Sequence, residues 1–298
     1  MPVVRVDAGK AAPQSLWDAT DAMTDAAPIV VMIHGYRYSP SRPSHDPHRH
    51  ILSLSPDQSC RRALSWPRAL GFGTGAADEG LAVAFGWEAR GTLGGAYRRA
   101  EDTGRALADL VDRLSDRTGR PVALIGHSLG GRVALQSLRF APAGSVGRVC
   151  LLTAAEFRDQ AAQALDSPAG HRAEVLNITS RENDLFDFAM ELWLGRGRRQ
   201  ALGFGLDHPA RNWIDVQIDD GPTLDMLAQM GFPVERNPLR LSHWTPYLRG
   251  GLFDFYRTAL KQPWALPMPV LRARLPGRIA PRWSRLLDGL PEQGLARG

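Results

Sequence analysis

The residues of this chain best suited to chemistry are Gly126, Ser128 and Gly130, which form the pattern Gly-x-Ser-x-Gly. An apolar run, Val122 to Ile125, precedes the pattern, and a helix-compatible run, Arg132 to Arg139, follows it. A strand that turns sharply into a helix holds such a serine in a strained, exposed position, from which its Oγ can attack a carbonyl carbon. The flanking glycines fit because the turn leaves no room for a Cβ. The segment therefore predicts a serine nucleophile at residue 128.

A serine nucleophile needs a base, and position along the chain favours His243 among the eight histidines. His171 and His208 precede predicted strands, whereas functional groups gather beyond the carboxyl ends of parallel strands. His243 follows the last predicted strand and precedes a helix-like segment, 248–260. We expect His243 to be the base. The alternative is a loop histidine that is hydrogen-bonded only for structure.

A third group must orient the imidazole, and the acidic segment 180–187 follows another predicted strand end. Asp184 ranks first because it lies where the chain leaves the strand and begins a helix. Asp187 ranks second, ahead of Glu182 and Asp219. Asp184 has a competing structural role as a helix N-cap. Ser128, Asp184 and His243 would follow one another in the chain order of α/β-hydrolase triads.

Two backbone N–H groups are needed to stabilise the negative charge that develops on the substrate oxygen. Leu129 begins the helix after the serine, where amides have no intrahelical acceptor. The second donor is expected from Tyr36, in the turn that follows His34-Gly35 at another strand end. Leu129 and Tyr36 are therefore the predicted oxyanion hole.

The elements that must position these residues alternate along the chain. Apolar runs predict strands at 28–33, 81–87, 122–125, 148–153, 173–179 and 213–218. The clearest helix, 97–117, repeats apolar residues every three or four positions. Near-continuous apolar strands that alternate with helices predict an α/β fold: a doubly wound, mostly parallel sheet with helices on both faces.

Long segments interrupt this alternation and define the expected domain organisation. The hydrolase-like domain is expected at 1–262, with excursions at 37–80 and 195–211; the first excursion contains a possible helix at 59–70. A Pro- and Arg-rich tail, 263–298, is expected to pack on the surface or to be partly disordered. Membrane-surface docking through this tail is an alternative that the sequence does not favour.

Composition narrows the class of protein. The chain has 298 residues, of which 44% are hydrophobic and 22% charged, with a formal net charge of +5. No basic stripe interleaved with aromatic residues suggests nucleic-acid binding. Cys60 and Cys150 do not form a disulfide framework. The N-terminus does not resemble a signal peptide, and no apolar run is long enough for a membrane span. We expect a cytoplasmic protein.

Three histidines in one loop invite a metal site as an alternative. His45, His48 and His50 lie close to Asp46, which gives three imidazoles and a carboxylate. Their spacing matches no usual zinc pattern, and serine chemistry needs no metal. We expect a solvated loop, with neither a metal ion nor a cofactor in the protein.

Together these motifs resemble the α/β-hydrolase superfamily. The resemblance is carried by His34-Gly35-Tyr36, by Asp184 and His243, and above all by Gly126-His-Ser-Leu-Gly-Gly131, which is similar to lipase- and esterase-type members. The segment 85–102 also resembles a branch of largely uncharacterised bacterial members. The resemblance covers roughly residues 28 to 260 and implies acyl transfer through a serine ester.

The expected function is a serine hydrolase that cleaves carboxylic esters, with a small-molecule ester as its partner. Thioesterase, amidase and acyltransferase activities stay open, because they share this machinery, and so do two further alternatives. One is a lipase or phospholipase that acts at an interface, and the other is a catalytically idle fold that serves as a binding module. The substrate and the oligomeric state are not predicted.

Overall fold

A single sheet of seven strands organises the computed structural model, which describes residues 3–57, 63–76, 78–236, 241–277 and 279. The strands are β1 (Val3–Asp7), β2 (Ile29–Ile33), β3 (Leu81–Gly86), β4 (Val122–His127), β5 (Val146–Leu152), β6 (Glu174–Thr179) and β7 (Trp213–Gln217). Their order is β1-β3-β2-β4-β5-β6-β7, and each neighbouring pair is parallel. The six predicted strands are all present, and the predicted parallel α/β sheet is confirmed.

The edge strand β1 was not among the strands predicted from the sequence. It pairs only with β3, and alternate positions of Val3–Asp7 are less buried, as expected for an edge. The central strands β2, β3 and β4 are buried at every position. Their continuous apolar runs follow from this burial, because helices cover both faces of the sheet.

Ten α-helices flank the sheet within the described ranges. They are α1 (Gln14–Asp21), α2 (Trp66–Ala69), α3 (Leu93–Thr118), α4 (Leu129–Leu138), α5 (Arg158–Leu165), α6 (Asp184–Trp193), α7 (Gly221–Gln229), α8 (Thr245–Leu248), α9 (Leu252–Lys261) and α10 (Met268–Arg274). One apolar core unites α1, α3, α4 and α5 with one face of the sheet, and a second unites α2, α7, α9 and α10 with the other face. None of the helices in the described ranges combines the length and apolar character needed to cross a bilayer.

The predicted helices are present, with shifted ends. The helix predicted at 97–117 is α3, which begins earlier because Thr92 caps it by accepting a hydrogen bond from Gly95 N–H, and ends at the left-handed Gly119 (φ +65°). The helix predicted at 248–260 is α9, which begins only at residue 252, after the left-handed Gly251 (φ +87°). Residue 248 is the last residue of the preceding short helix, α8. Of the helix predicted at 59–70, only α2 is observed, and 59–62 lie outside the described residues.

The two excursions and the start of the tail contain short ordered elements. The first excursion forms 3₁₀ turns at Pro43–His45 and Pro47–Arg49, followed by α2. The second forms a 3₁₀ turn at Leu202–Phe204. In the tail, α10 buries Met268 and Leu271 against the core. The division expected at residue 262 stays a prediction, and most of the tail beyond 277 lies outside the described residues.

Candidate active site

Ser128 occupies a strained turn between β4 and α4. Its backbone has φ +56° and ψ −123°, a conformation that residues other than glycine rarely adopt. A Cβ on Gly126 would lie 2.4 Å from the Gly130 carbonyl oxygen, and a Cβ on Gly130 would lie 2.3 Å from that of Ile33. The turn therefore requires glycine on both sides of the serine, as its sequence pattern suggests.

The turn after β2 touches this serine directly. A Cβ on Gly35 would lie 2.9 Å from Ser128 Cβ and 2.8 Å from the His127 carbonyl oxygen. Tyr36, the next residue, is held by its hydroxyl, which donates to the Gly91 carbonyl oxygen at 2.5 Å. Leu129 is the first residue of α4. The residues predicted to supply the oxyanion-hole amides thus flank Ser128 from two directions, and their role stays a prediction.

His34 fixes the start of this turn. It is completely buried, and its Nε2 accepts a hydrogen bond from Trp87 N–H at 3.0 Å, so that its Nδ1–H donates to the Gly35 carbonyl oxygen. Trp87 Nε1–H in turn donates to the His34 carbonyl oxygen at 3.0 Å. Burial lowers the pKa of His34 to about 3, so the imidazole is neutral at physiological pH. Trp87 is therefore a core residue that supports the Gly35 turn.

His243 lies next to the elbow because His127 holds its backbone. His127 Nε2 is 2.8 Å from the His243 carbonyl oxygen, and the two imidazole rings are 4.6 Å apart between centroids. Thr153 Oγ1 donates to the same carbonyl oxygen at 3.5 Å. Among the described residues, Ser128 Oγ and the His243 imidazole do not form a hydrogen bond. Such bonds are often long without substrate and shorten when it binds.

The side chain that orients the His243 imidazole is an amide. His243 Nδ1–H donates to Asn183 Oδ1 at 2.5 Å, and Asn183 is 1% exposed. This bond fixes the proton on Nδ1 and leaves a lone pair on Nε2, which is the tautomer that a general base needs. Phe186 stacks on the imidazole at 4.8 Å.

The contact at Nδ1 differs from the one predicted. Asp184 was expected there, but the 3₁₀ turn Arg181–Asn183 directs the preceding residue to His243. Asp184 is the first residue of α6, where the positive end of the helix dipole stabilises a carboxylate. Asp187 lies in the same turn of α6, and both acids are buried.

The other two acids considered from the sequence form structural ion pairs. Glu182 pairs with Arg249 at 3.0 Å, and both side chains are 3% exposed. Asp219 pairs with Arg181 at 2.7 Å. Asn183 was not predicted from the sequence, because a carboxylate was expected at this position, although an amide oxygen can also accept a hydrogen bond from Nδ1–H.

The imidazoles around the serine are uncharged at neutral pH. Burial lowers the pKa of His127 to about 4. Burial, followed by the nearby His127, lowers the pKa of His243 well below 6.5. The His243 imidazole is therefore unprotonated at pH 7, as its predicted role as the base requires.

A buried polar cluster anchors the helix that follows the serine. Arg132 of α4 forms an ion pair with Glu156, and their side chains are 3% and 0% exposed. Glu156 also accepts hydrogen bonds from Tyr97 Oη at 2.5 Å and from Gln136 Nε2 at 3.1 Å. These bonds join α4 to α3 and to the loop after β5, so the direction of α4 relative to Ser128 is fixed.

The three histidines of the first excursion have separate partners. His48 Nε2 is 2.8 Å from Asp7 Oδ1, His50 Nδ1 is 2.6 Å from the Tyr38 hydroxyl, and His45 Nδ1 is 2.8 Å from the Ser44 hydroxyl. Within the described part of the chain, no three His, Cys, Asp or Glu residues are grouped to hold a metal ion.

The parallel sheet, the serine elbow after β4 and a histidine beyond β7 give this chain an α/β-hydrolase-like fold. No family model and no curated protein sequence matches the chain. Among solved structures, it is similar to TT1662 from Thermus thermophilus, at 15% identity over 82% of this chain and 92% of that one, with a TM-score of 0.41.

The chain is also similar to the Bacillus licheniformis lipase BlEst2. In the propeptide form of that lipase, the identity is 14% over 87% of this chain and 53% of the other, with a TM-score of 0.40. In the mature form, it is 13% over 82% and 94%, with a TM-score of 0.39.

Proposed function

We propose that this protein is a serine hydrolase that cleaves carboxylic esters through an acyl-enzyme on Ser128. The observation that carries the proposal is the strained Ser128 turn beside a neutral His243 whose Nδ1–H is held by Asn183. Backbone strain at a buried serine is typical of functional sites. The tautomer of His243 leaves Nε2 as the proton acceptor.

The first half of the reaction forms the acyl-enzyme. His243 Nε2 takes the proton from Ser128 Oγ as the oxygen attacks the ester carbonyl carbon. The amides of Leu129 and Tyr36 stabilise the oxyanion of the tetrahedral intermediate. The C–O bond to the leaving group then breaks, and the alcohol leaves with the proton that His243 returns.

The second half releases the acid. A water molecule gives a proton to His243 and attacks the acyl carbonyl carbon, and the proton returns to Ser128 as the carboxylic acid departs. One ester and one water are thereby converted to one alcohol and one acid. Asn183 orients the imidazole in both halves. Asp184, the residue predicted from the sequence, is the alternative for that role.

Hydrolysis of p-nitrophenyl acetate and butyrate by wild type, Ser128→Ala and His243→Ala tests the proposal. We expect turnover by the wild type, and a loss of about 10³-fold or more in kcat for each variant. His171→Gln is the matched control, because His171 is exposed and precedes β6, away from the serine. A folded wild type without turnover on any ester would instead favour a binding module.

A further inference from the structure

Helix α6 is amphipathic in the reverse sense to a normal surface helix. Its buried positions are Asp184, Asp187 and Met190, of which two are acids. Its outward positions carry large apolar side chains: Leu185, Phe186, Phe188, Leu192 and Trp193, which are 54%, 40%, 48%, 55% and 70% exposed. Residues 185, 188 and 192 follow helical spacing, so they form one continuous stripe. Contiguous exposed apolar side chains of this kind are typical of surfaces that bind another protein or a membrane.

The inner side of α6 attaches the helix to the rest of the protein. Met190 packs with Phe157 and Ala201 in a cluster separate from the two main cores. Glu191 accepts a hydrogen bond from Ala201 N–H at 2.8 Å. Within the described part of the chain, the apolar stripe on the outer side stays exposed.

The stripe is continuous with the active site. Phe186, at its start, stacks on His243 at 4.8 Å and lies 6.3 Å from the ring of Trp244. Ser242 N–H donates to the Glu182 carbonyl oxygen at 3.0 Å, which holds Leu241, 55% exposed, beside the start of α6. We call Leu185, Phe186, Phe188, Leu192, Trp193 and Leu241 the apolar rim.

Positive charge follows the apolar rim directly. Arg196 and Arg198 come immediately after α6, and both are exposed. Neither forms an ion pair with another residue in the described ranges. The nearest acid in sequence, Glu191, accepts a hydrogen bond from Ala201 N–H at 2.8 Å, and the next two along α6, Asp184 and Asp187, are buried. Exposed Phe, Leu and Trp flanked by Arg match the chemistry of an anionic bilayer surface, where aromatic rings lie at the headgroup level and cations meet lipid phosphates.

We propose that the apolar rim, with Arg196 and Arg198, docks this protein on an anionic lipid surface and turns the Ser128 site toward lipid esters held there. The docking is independent of catalysis, whereas the substrate class rests on the proposed function. The bilayer surface also accounts for the position of the rim, because a lipid leaving it would pass Phe186 before reaching His243.

Sedimentation with vesicles tests the docking. Ser128→Ala protein, which cannot consume lipid through Ser128, is mixed with vesicles of phosphatidylcholine alone or with phosphatidylglycerol added. We expect binding to the anionic vesicles that weakens with added salt. Phe188→Ser/Trp193→Ser should lower the partition coefficient roughly tenfold, and Arg196→Ser/Arg198→Ser should lower it to a similar extent on anionic vesicles only.

The matched control is Phe140→Ser/Trp264→Ser. Phe140 is 41% exposed and Trp264 75% exposed, and they follow the carboxyl ends of α4 and α9. Those helix ends lie near the amino ends of the strands, whereas Ser128 follows the carboxyl end of β4. The reason is that the helices of a doubly wound fold run antiparallel to its strands. We expect this control to bind anionic vesicles like the parent protein. Its circular dichroism, and that of the rim variants, should match the parent.

Each of the following results would overturn the inference. The first is equal binding by the rim variants and their parent, and the second is no preference for anionic vesicles. The third is a wild-type dimer that Phe188→Ser/Trp193→Ser converts to a monomer, since the rim would then be covered by a second copy. Hydrolysis of short esters without vesicle binding would contradict the docking alone. Vesicle binding without hydrolysis of any ester would contradict the proposed function alone.

Discussion

Asn183 Oδ1 lies 2.5 Å from His243 Nδ1, so a neutral amide holds the imidazole where serine hydrolases of similar architecture commonly use a carboxylate. The geometry supplies orientation and the correct tautomer. In the proposed reaction, the amide would stabilise the imidazolium that forms as Ser128 loses its proton less than a carboxylate would, because an amide carries no net charge. Orientation and charge stabilisation are therefore separable in this protein.

Two substitutions of Asn183 should change catalysis in different ways. Asn183→Ala removes the acceptor of Nδ1–H, and we expect kcat to fall about 10²-fold or more with little change in KM. Asn183→Asp retains the acceptor and adds a negative charge, which raises the pKa of His243. The acid limb of the kcat/KM profile should then move to higher pH. Ester hydrolysis between pH 4 and 9 measures both effects.

Asp184→Asn is the control for the role predicted from the sequence. If Asn183 orients the base, this variant should keep the acid limb of the wild type. A larger loss of kcat in Asp184→Asn than in Asn183→Ala would contradict the assignment and restore Asp184 as the orienting group.

Gly35→Ala should impair catalysis while the protein stays folded. The added Cβ would lie 2.9 Å from Ser128 Cβ and 2.8 Å from the His127 carbonyl oxygen, so the turn must move away from the serine. Displacements of this kind cost about 10²-fold in rate. Gly221→Ala is the matched control, since a Cβ there meets no atom within 4 Å. Steady-state kinetics and circular dichroism of the two variants provide the measurement, and equal activity would refute the close approach.

Stability should fall as the pH is lowered below about 6.5. Burial lowers the pKa of His127 to about 4 in the folded protein, from 6.5 for a free imidazole. Between those values the unfolded chain binds more protons, so the free energy of unfolding decreases with decreasing pH. Between pH 7.5 and pH 5, His127 alone should lower the free energy of unfolding by about 2 kcal/mol.

Urea unfolding of His127→Gln at the two pH values checks this contribution. The difference in unfolding free energy between pH 7.5 and 5 should shrink by about 2 kcal/mol relative to the wild type. An unaltered difference in His127→Gln would show that this imidazole is not held in its neutral form.

The ion pair beneath α4 should matter far more than exposed pairs. Glu156→Ala leaves the buried Arg132 guanidinium with only the more distant carboxylate of Glu101, at 3.8 Å, and we expect a loss of about 3–5 kcal/mol in unfolding free energy. Asp21→Ala breaks the pair between Asp21 and Arg117, whose side chains are 55% and 45% exposed, and should cost far less because solvent screens an exposed pair. Urea unfolding compares the two. Equal losses would contradict the anchoring role of Glu156.

The sequence predicts the inner strands well because helices bury them on both faces. Ile29–Ile33 and Val122–His127 have no exposed position, so their continuous apolar sequences predict buried strands directly. The edge strand Val3–Asp7 is too short and too partially buried to stand out in the same way. The break of a predicted helix at Gly251 depends on one left-handed residue, whose conformation the apolar pattern does not report.

The site is predictable where backbone sterics determine the residue types, and less so where one side chain selects another. Gly126 and Gly130 leave a readable pattern because a Cβ has no space there. The choice between Asn183 and Asp184 depends on a single 3₁₀ turn, which shifts the contact by one residue. The exposed stripe on α6 has the same spacing as a buried one, so the sequence alone does not distinguish a core face from a docking face.

Covalent labelling of Ser128 by a fluorophosphonate tests the central claim most directly. The native protein is incubated with the probe at pH 7.5, and the modified residue is located by peptide mass spectrometry, with Ser128→Ala in parallel. We predict stoichiometric modification at Ser128 with loss of ester hydrolysis, and no modification of the variant. An unlabelled but folded wild type, or labelling that persists in Ser128→Ala, would contradict the assignment of Ser128 as the nucleophile.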